Sequence, residues 1–168
     1  YDHRTGLVPR PTILLDKRTA DAHDNPVISV DDEGHIWIFS TSHGTSRPSY
    51  VHRSARPYDV NEFVQVHPMK IEEGRQVMMT NFSYMQAWHV PDRGFVAFFT
   101  RYKYPAARTA CFMTSADGHR WSAWQRLAAI DEGHYQISSV TESRAGAALN
   151  YHPKGKGLNW RTNLYYLE

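Results

Sequence analysis

Two histidines, His23 and His43, stand at the ends of the stretch HDNPVISVDDEGHIWIFSTSH. An imidazole takes up and releases a proton near neutrality, so a paired set is suited to general acid–base work. The residues between them alternate apolar and polar, break at Asp31-Asp32-Glu33-Gly34, and alternate again. That pattern predicts a hairpin, in which the start of the first strand lies beside the end of the second. His23 and His43 are therefore expected as neighbours on one face. With Asp24 they also form a set of metal-ligating types, so proton transfer and metal binding both stay open.

The same rule applied downstream extends the set. SYMQAWHVPDRGFVAFFTRY reads as a second hairpin, turning at Pro91-Asp92-Arg93-Gly94. Tyr84 and Gln86 open it; Arg101, Tyr102 and Tyr104 close it. YQISSVTESRAGAALNYH reads as a third, turning near Glu142-Ser143. His134, Tyr135 and Gln136 open it, and Asn150, Tyr151 and His152 close it. The three turns fall on the opposite face, so the strand ends collect imidazoles, phenols, an amide and one guanidinium. Such groups at one end of a rigid scaffold predict a binding or catalytic cleft.

The elements that must hold these residues are strands. Helical periodicity is nearly absent, whereas short alternating runs separated by Gly, Pro, Asp and Asn recur. Three units repeat with a period of roughly 50–60 residues, each with about four short strands. The expectation is all-β: about three β-propeller blades of four antiparallel strands, near 22–70, 80–130 and an incomplete 133–168. SADGHRW, residues 115–121, resembles the Asp-box turn of sialidase-type propellers, with one residue missing between Asp117 and Gly118. Three blades cannot close a ring, which takes at least four. The remaining blades, or another chain, are expected to complete it.

Composition narrows the function classes. The chain has 168 residues, is 41% apolar and 21% charged, and carries a net charge of +2, as expected of one globular domain. No Lys/Arg run reaches the length of a phosphate-tracking patch, so nucleic acid is not an expected partner. The densest basic stretch, HPKGKG, reads as a solvated loop. No apolar run approaches the ~18 residues that span a membrane. Cys111 is the single cysteine, which excludes an intrachain disulfide and predicts a buried, inert thiol. The chain opens on Tyr1 rather than Met, as a processed or cut N-terminus would.

The segments AHDNPVI…DEGHIWIFSTSHG, YVHRSARPYDVNEF and NYHPKGKGLNWRTNLYYLE together resemble the BNR-repeat proteins that include ulvan lyases. The resemblance runs through residues 22–168. It implies a sialidase-like propeller that cleaves acidic algal polysaccharide by β-elimination, and a secreted or periplasmic protein. It also implies roles for His23 and His43, for Tyr84 and Arg101, and for Tyr151, with Tyr102 and Tyr104 competing for the Tyr84 role and Tyr135 for that of Tyr151. In the scheme so implied, Arg101 clamps the uronate carboxylate. Tyr84, its pKa lowered by Arg101 and a protonated histidine, acts as base and acid, while His23 and His43 neutralise charge, handle the proton or replace Tyr84 as base. Asn25, Gln86, Tyr102, Tyr135, Asn150, Tyr151 and His152 are expected to bind the acidic polysaccharide or other carbohydrate. No cofactor is required, and a structural metal is left open. Two alternatives remain: a sialidase-like exo-glycosidase, hinted at by VPRPTIL, and a non-catalytic carbohydrate-binding or assembly propeller.

Overall fold

The computed structural model describes residues 1–8, 10–103, 106–157 and 159–168; Tyr104 lies outside the described residues. Strands β1 (Pro26–Val30) and β2 (Ile36–Ser40) form the first hairpin, with Pro26 opposite Ser40 and Val30 opposite Ile36. Its turn is tied by one carboxylate. Asp31 Oδ1 accepts the amides of Glu33 and His35 at 3.1 and 2.8 Å, and Oδ2 accepts the Trp37 indole N–H at 2.7 Å. Strands β3 (Tyr50–Ser54) and β4 (Phe63–Val66) complete a four-stranded antiparallel sheet.

The next hairpin departs from the expected units. Strands β5 (Met69–Glu72) and β6 (Arg75–Met78) leave the first sheet and join the second. Pro68, with no N–H to give a ladder, stands at the exit from β4. The Met69 amide then donates to the His119 carbonyl at 2.8 Å. The second sheet contains β7 (Ser83–Val90), β8 (Gly94–Tyr102), β9 (Arg108–Ser115) and the short β10 (Arg120–Trp121) and β11 (Gln125–Arg126). Strand β5 runs parallel to β10, giving seven strands where four antiparallel ones were expected. The third sheet has three, β12 (Gly133–Val140), β13 (Ala145–Tyr151) and β14 (Thr162–Leu167). The architecture is thus all-β, built of propeller-like blades. No helix among the described residues is long and apolar enough to cross a membrane.

The main core lies between the first two sheets. Trp37, Phe39 and Val51 pack against Phe95, Ala97, Phe99, Cys111, Met113 and Trp121. Burial pushes the Cys111 thiol up to about 12, so it stays protonated. The second and third sheets are joined by polar groups as well. The Ser138 amide and hydroxyl both donate to Gln86 Oε1, at 2.5 and 2.6 Å, and the Trp88 indole donates to Ser138 Oγ at 2.9 Å.

Two irregularities matter for the site. The β7–β8 register shifts between Ser83 and Gln86, and the β12–β13 register between His134 and Ile137. Inside those shifts Tyr84 and Tyr135 hold left-handed backbones, with φ of 52° and 47°. Bulky residues rarely accept that region, and bulges are a recognised way of re-aiming a side chain beside a functional site.

Candidate active site

The first hairpin brings its two histidines together. The His23 and His43 rings stack with centroids 4.4 Å apart and planes 27° from parallel. Their side chains keep 46% and 37% of their surface, so both are open to a ligand. Asp21 sits between them. His23 Nδ1 lies 2.7 Å from Asp21 Oδ1, and His43 Nδ1 lies 3.3 Å from Oδ2.

A second carboxylate fixes the base of this pair. The His43 amide donates to Asp24 Oδ1 at 2.8 Å, while Asp24 Oδ2 takes Arg47 at 3.0 and 3.2 Å and faces the Lys17 ammonium at 3.3 Å. Burial alone would raise the Asp24 pKa. The His43 amide, Arg47 and Lys17 outweigh it and hold the carboxylate below its ordinary range. The His23 amide, the His23 ring and Arg47 hold Asp21 far below that range.

Tyr84, swung out by its bulge, reaches this pair from the second sheet. Its ring centroid is 6.1 Å from His23 and 5.9 Å from His43, both edge-on. It also meets His134 and Tyr135, each at 5.3 Å. Tyr102 approaches His43 at 5.8 Å and His134 at 6.1 Å. His152 stacks on His134 at 5.8 Å. Hairpin ends from three sheets therefore converge on one aromatic, imidazole-rich cluster. Buried polar atoms without protein partners concentrate here, including the Tyr84 and Tyr102 hydroxyls and both ring nitrogens of His152. Orphaned buried polar groups are costly unless a ligand or water meets them.

Arg101 corrects the expectation made for it. It lies opposite Thr109 across β8 and β9, while its neighbour Tyr102 lies opposite Arg108. Successive residues on a strand face opposite ways. Arg101 accordingly shares the face of Phe95, Ala97 and Phe99, pairs with Glu72, and stacks over Trp124 at 4.7 Å. It does not face the histidines. Tyr84 departs from expectation in the same direction. Its pKa is raised, first by burial and then by the Tyr102 and Tyr135 phenols, so the hydroxyl keeps its proton.

The remaining expected residues divide. Tyr135 is in the cluster, with the Arg161 guanidinium 4.3 Å over its ring and Arg161 Nη2 donating to its hydroxyl at 2.9 Å. His152 and Asn150 are there too, Asn150 opposite His134 with Oδ1 unpartnered. Gln86 spends its oxygen on Ser138. Asn25 is exposed and its carbonyl accepts the Thr41 hydroxyl. Tyr151 is half-buried across from Gly133.

Four residues join the site from outside the expected set, Asp21, Arg47, Arg108 and Arg161, while His134, expected at the opening of the third hairpin, is part of the cluster. Arg108 sits on the Tyr102 face with its Nη1 3.6 Å from Glu132 Oε2 and its Nε buried and unpartnered. Burial, helped by the charges of Arg108, His152, Arg161 and His43, lowers His134 to about 3. It is neutral at ordinary pH. The atoms of Asp21, His23 and His43 that could ligate a metal all lie within 4.8 Å of one another, so Asp21 rather than Asp24 completes the metal-capable trio.

A comparison with known folds gives a polysaccharide lyase, the PL25 ulvan lyase, at a TM-score of 0.62 and 20% identity. A second ulvan lyase structure, bound to -[GlcA(1-4)Rha3S]-, matches at 0.61 and 21%. Each match covers 87% of this chain and 38% of the solved one, so the chain spans well under half the length of those lyases. At that identity the likeness establishes a shared fold. No curated protein matches the sequence. The BNR repeat-containing family model matches residues 11–157, most of the length, and the chain belongs to that family.

Proposed function

We propose that this chain carries part of the active site of a polysaccharide lyase that cleaves a uronate-containing acidic polysaccharide by β-elimination. The observation that carries the reading is the meeting of a stacked, accessible histidine pair with a protonated, buried phenol, Tyr84, inside a cluster flanked by Arg108 and Arg161. The glucuronate-containing ligand of one structural neighbour supports the substrate class.

The chemistry requires three things. The uronate carboxylate must be neutralised so that negative charge can develop at C5, and guanidinium groups suit that role. Arg108 and Arg161 supply it in place of Arg101. A base must take the C5 proton; an imidazole Nε2 of the His23–His43 pair does so. An acid must protonate the leaving O4, and Tyr84 gives its phenolic proton there. The C5–H and C4–O4 bonds break, a C4=C5 double bond forms, and proton exchange with solvent returns His and Tyr to their starting states.

Incubating the full-length protein with ulvan, other polyuronates and, separately, a sialylated glycan, and following the ultraviolet absorbance of the C4=C5 double bond and any free sugar, tests this. An absorbance rise with new chain ends is expected. Release of free sialic acid instead would establish a glycosidase, and binding without cleavage a carbohydrate-binding propeller.

A further inference from the structure

The loop ahead of the first hairpin contains a carboxylate whose four contacts are all donors. Asp21 Oδ1 meets the His23 amide at 3.0 Å and His23 Nδ1 at 2.7 Å. Oδ2 meets His43 Nδ1 at 3.3 Å and Arg47 Nη2 at 3.2 Å. A carboxylate offers about four lone-pair sites, and each is used. Arg47 is itself anchored on Asp24, which holds the His43 backbone. The carboxylate, both rings and the guanidinium thus form one connected frame.

We propose that Asp21 is a shared positioning residue that sets the tautomer and orientation of both histidines at once. An ionised carboxylate accepts and cannot donate, so each ring must place its proton on Nδ1 to reach it. In the neutral ring each Nε2 is then a bare lone pair, ready to accept a substrate proton. The same carboxylate contacts both rings of the stacked pair. A metal ion shared by the Asp21 carboxylate and both Nδ1 atoms would need the lone pairs that these bonds occupy, and it would meet the Arg47 charge on the shared oxygen. The hydrogen-bonded reading accounts for every contact. The catalytic consequence of this frame rests on the lyase reading above; its tautomeric consequence does not.

Asp21→Asn is the decisive variant. A carboxamide accepts through one atom and donates through the other, so it forces one imidazole out of its Nδ1–H form. Nitrogen NMR of the full-length protein should show two Nδ1–H histidines at positions 23 and 43, assigned by His23→Gln and His43→Gln, and the loss of one or both in Asp21→Asn. Polysaccharide cleavage by Asp21→Asn should fall about 100-fold or more in kcat, with KM within about twofold, as for removal of a triad carboxylate. Asp21→Glu should recover part of kcat, whereas a purely structural role would give no such split. Unchanged ring tautomers in Asp21→Asn would overturn the proposal, as would one equivalent of Zn2+ bound by the wild type and lost in Asp21→Asn. Altered tautomers in a protein that cleaves no polyuronate would keep the positioning role and refute the lyase reading.

Discussion

At the scale of single residues, burial shifts the two groups at the centre of the cluster in opposite directions, and each is held in its neutral form. Tyr84 keeps its proton because burial and two neighbouring phenols penalise the phenolate. Tyr84→Phe should therefore remove the acid while leaving the packing intact: cleavage of polyuronates should fall by about 10²–10⁴, with an unchanged circular dichroism spectrum. His134 resists protonation. Its folded pKa of about 3 is below the ordinary 6.5, so below pH 6.5 the unfolded chain binds the proton that the folded one refuses. Stability is then fully present above pH 6.5 and is lost as pH falls toward 3. The loss between pH 6.5 and 5 should be about 2 kcal/mol. Denaturant unfolding at both values checks it, and His134→Gln should flatten the slope.

At the scale of elements, the turn at residues 115–121 is tied by its own hydrogen bonds and packs on Trp37 of the first sheet. Ser115 Oγ accepts the Gly118 amide at 2.9 Å, Asp117 Oδ1 accepts those of His119 and Arg120 at 2.8 and 2.7 Å, and the Trp121 indole donates to the Gly118 carbonyl at 2.8 Å. Gly118 has φ of +73°, and a Cβ there would lie 2.7 Å from the Trp37 ring. Gly118→Ala should cost about 2 kcal/mol or more in denaturant unfolding. Alternation and turn residues made the three hairpins legible in the sequence, and with them the meeting of His23 and His43. The face of Arg101 was not legible in this way, because Phe95, Ala97 and Phe99 on its side of β8 are matched by Val96 and Phe98 on the other; reading strand ends alone placed it with Tyr102. A one-residue change of phase exchanges the two faces of a strand. The bulges at Tyr84 and Tyr135 carry no comparable signal, since left-handed tyrosines are set by tertiary packing. Asp21 and Arg47 lie in loops, where no periodicity reports which way a side chain turns.

At the scale of the whole molecule, the first and third sheets leave apolar rows facing outward. Ile137, Ala148 and Tyr166 stand directly across from one another on β12, β13 and β14, and Ile137 and Tyr166 are 65% and 68% exposed. Ile28 faces Ile38 on the first sheet in the same way. Contiguous apolar surface of this kind is normally covered. Expressed alone, these 168 residues should self-associate with rising concentration in sedimentation velocity. Ile137→Lys should shift them toward the monomer while changing unfolding free energy by no more than about 0.5 kcal/mol. The hairpin from Met69 to Met78 has a further consequence. By docking on β10 it occupies backbone groups that would otherwise template a foreign strand, and it presents β6, with Arg75 and Gln76 exposed, as the new rim. Cationic and amide side chains on a short outer strand discourage edge-to-edge growth. Strand addition along that border of the molecule is thereby disfavoured, and it falls instead to the other terminal strands of the sheets, β1, β4, β7, β12 and β14.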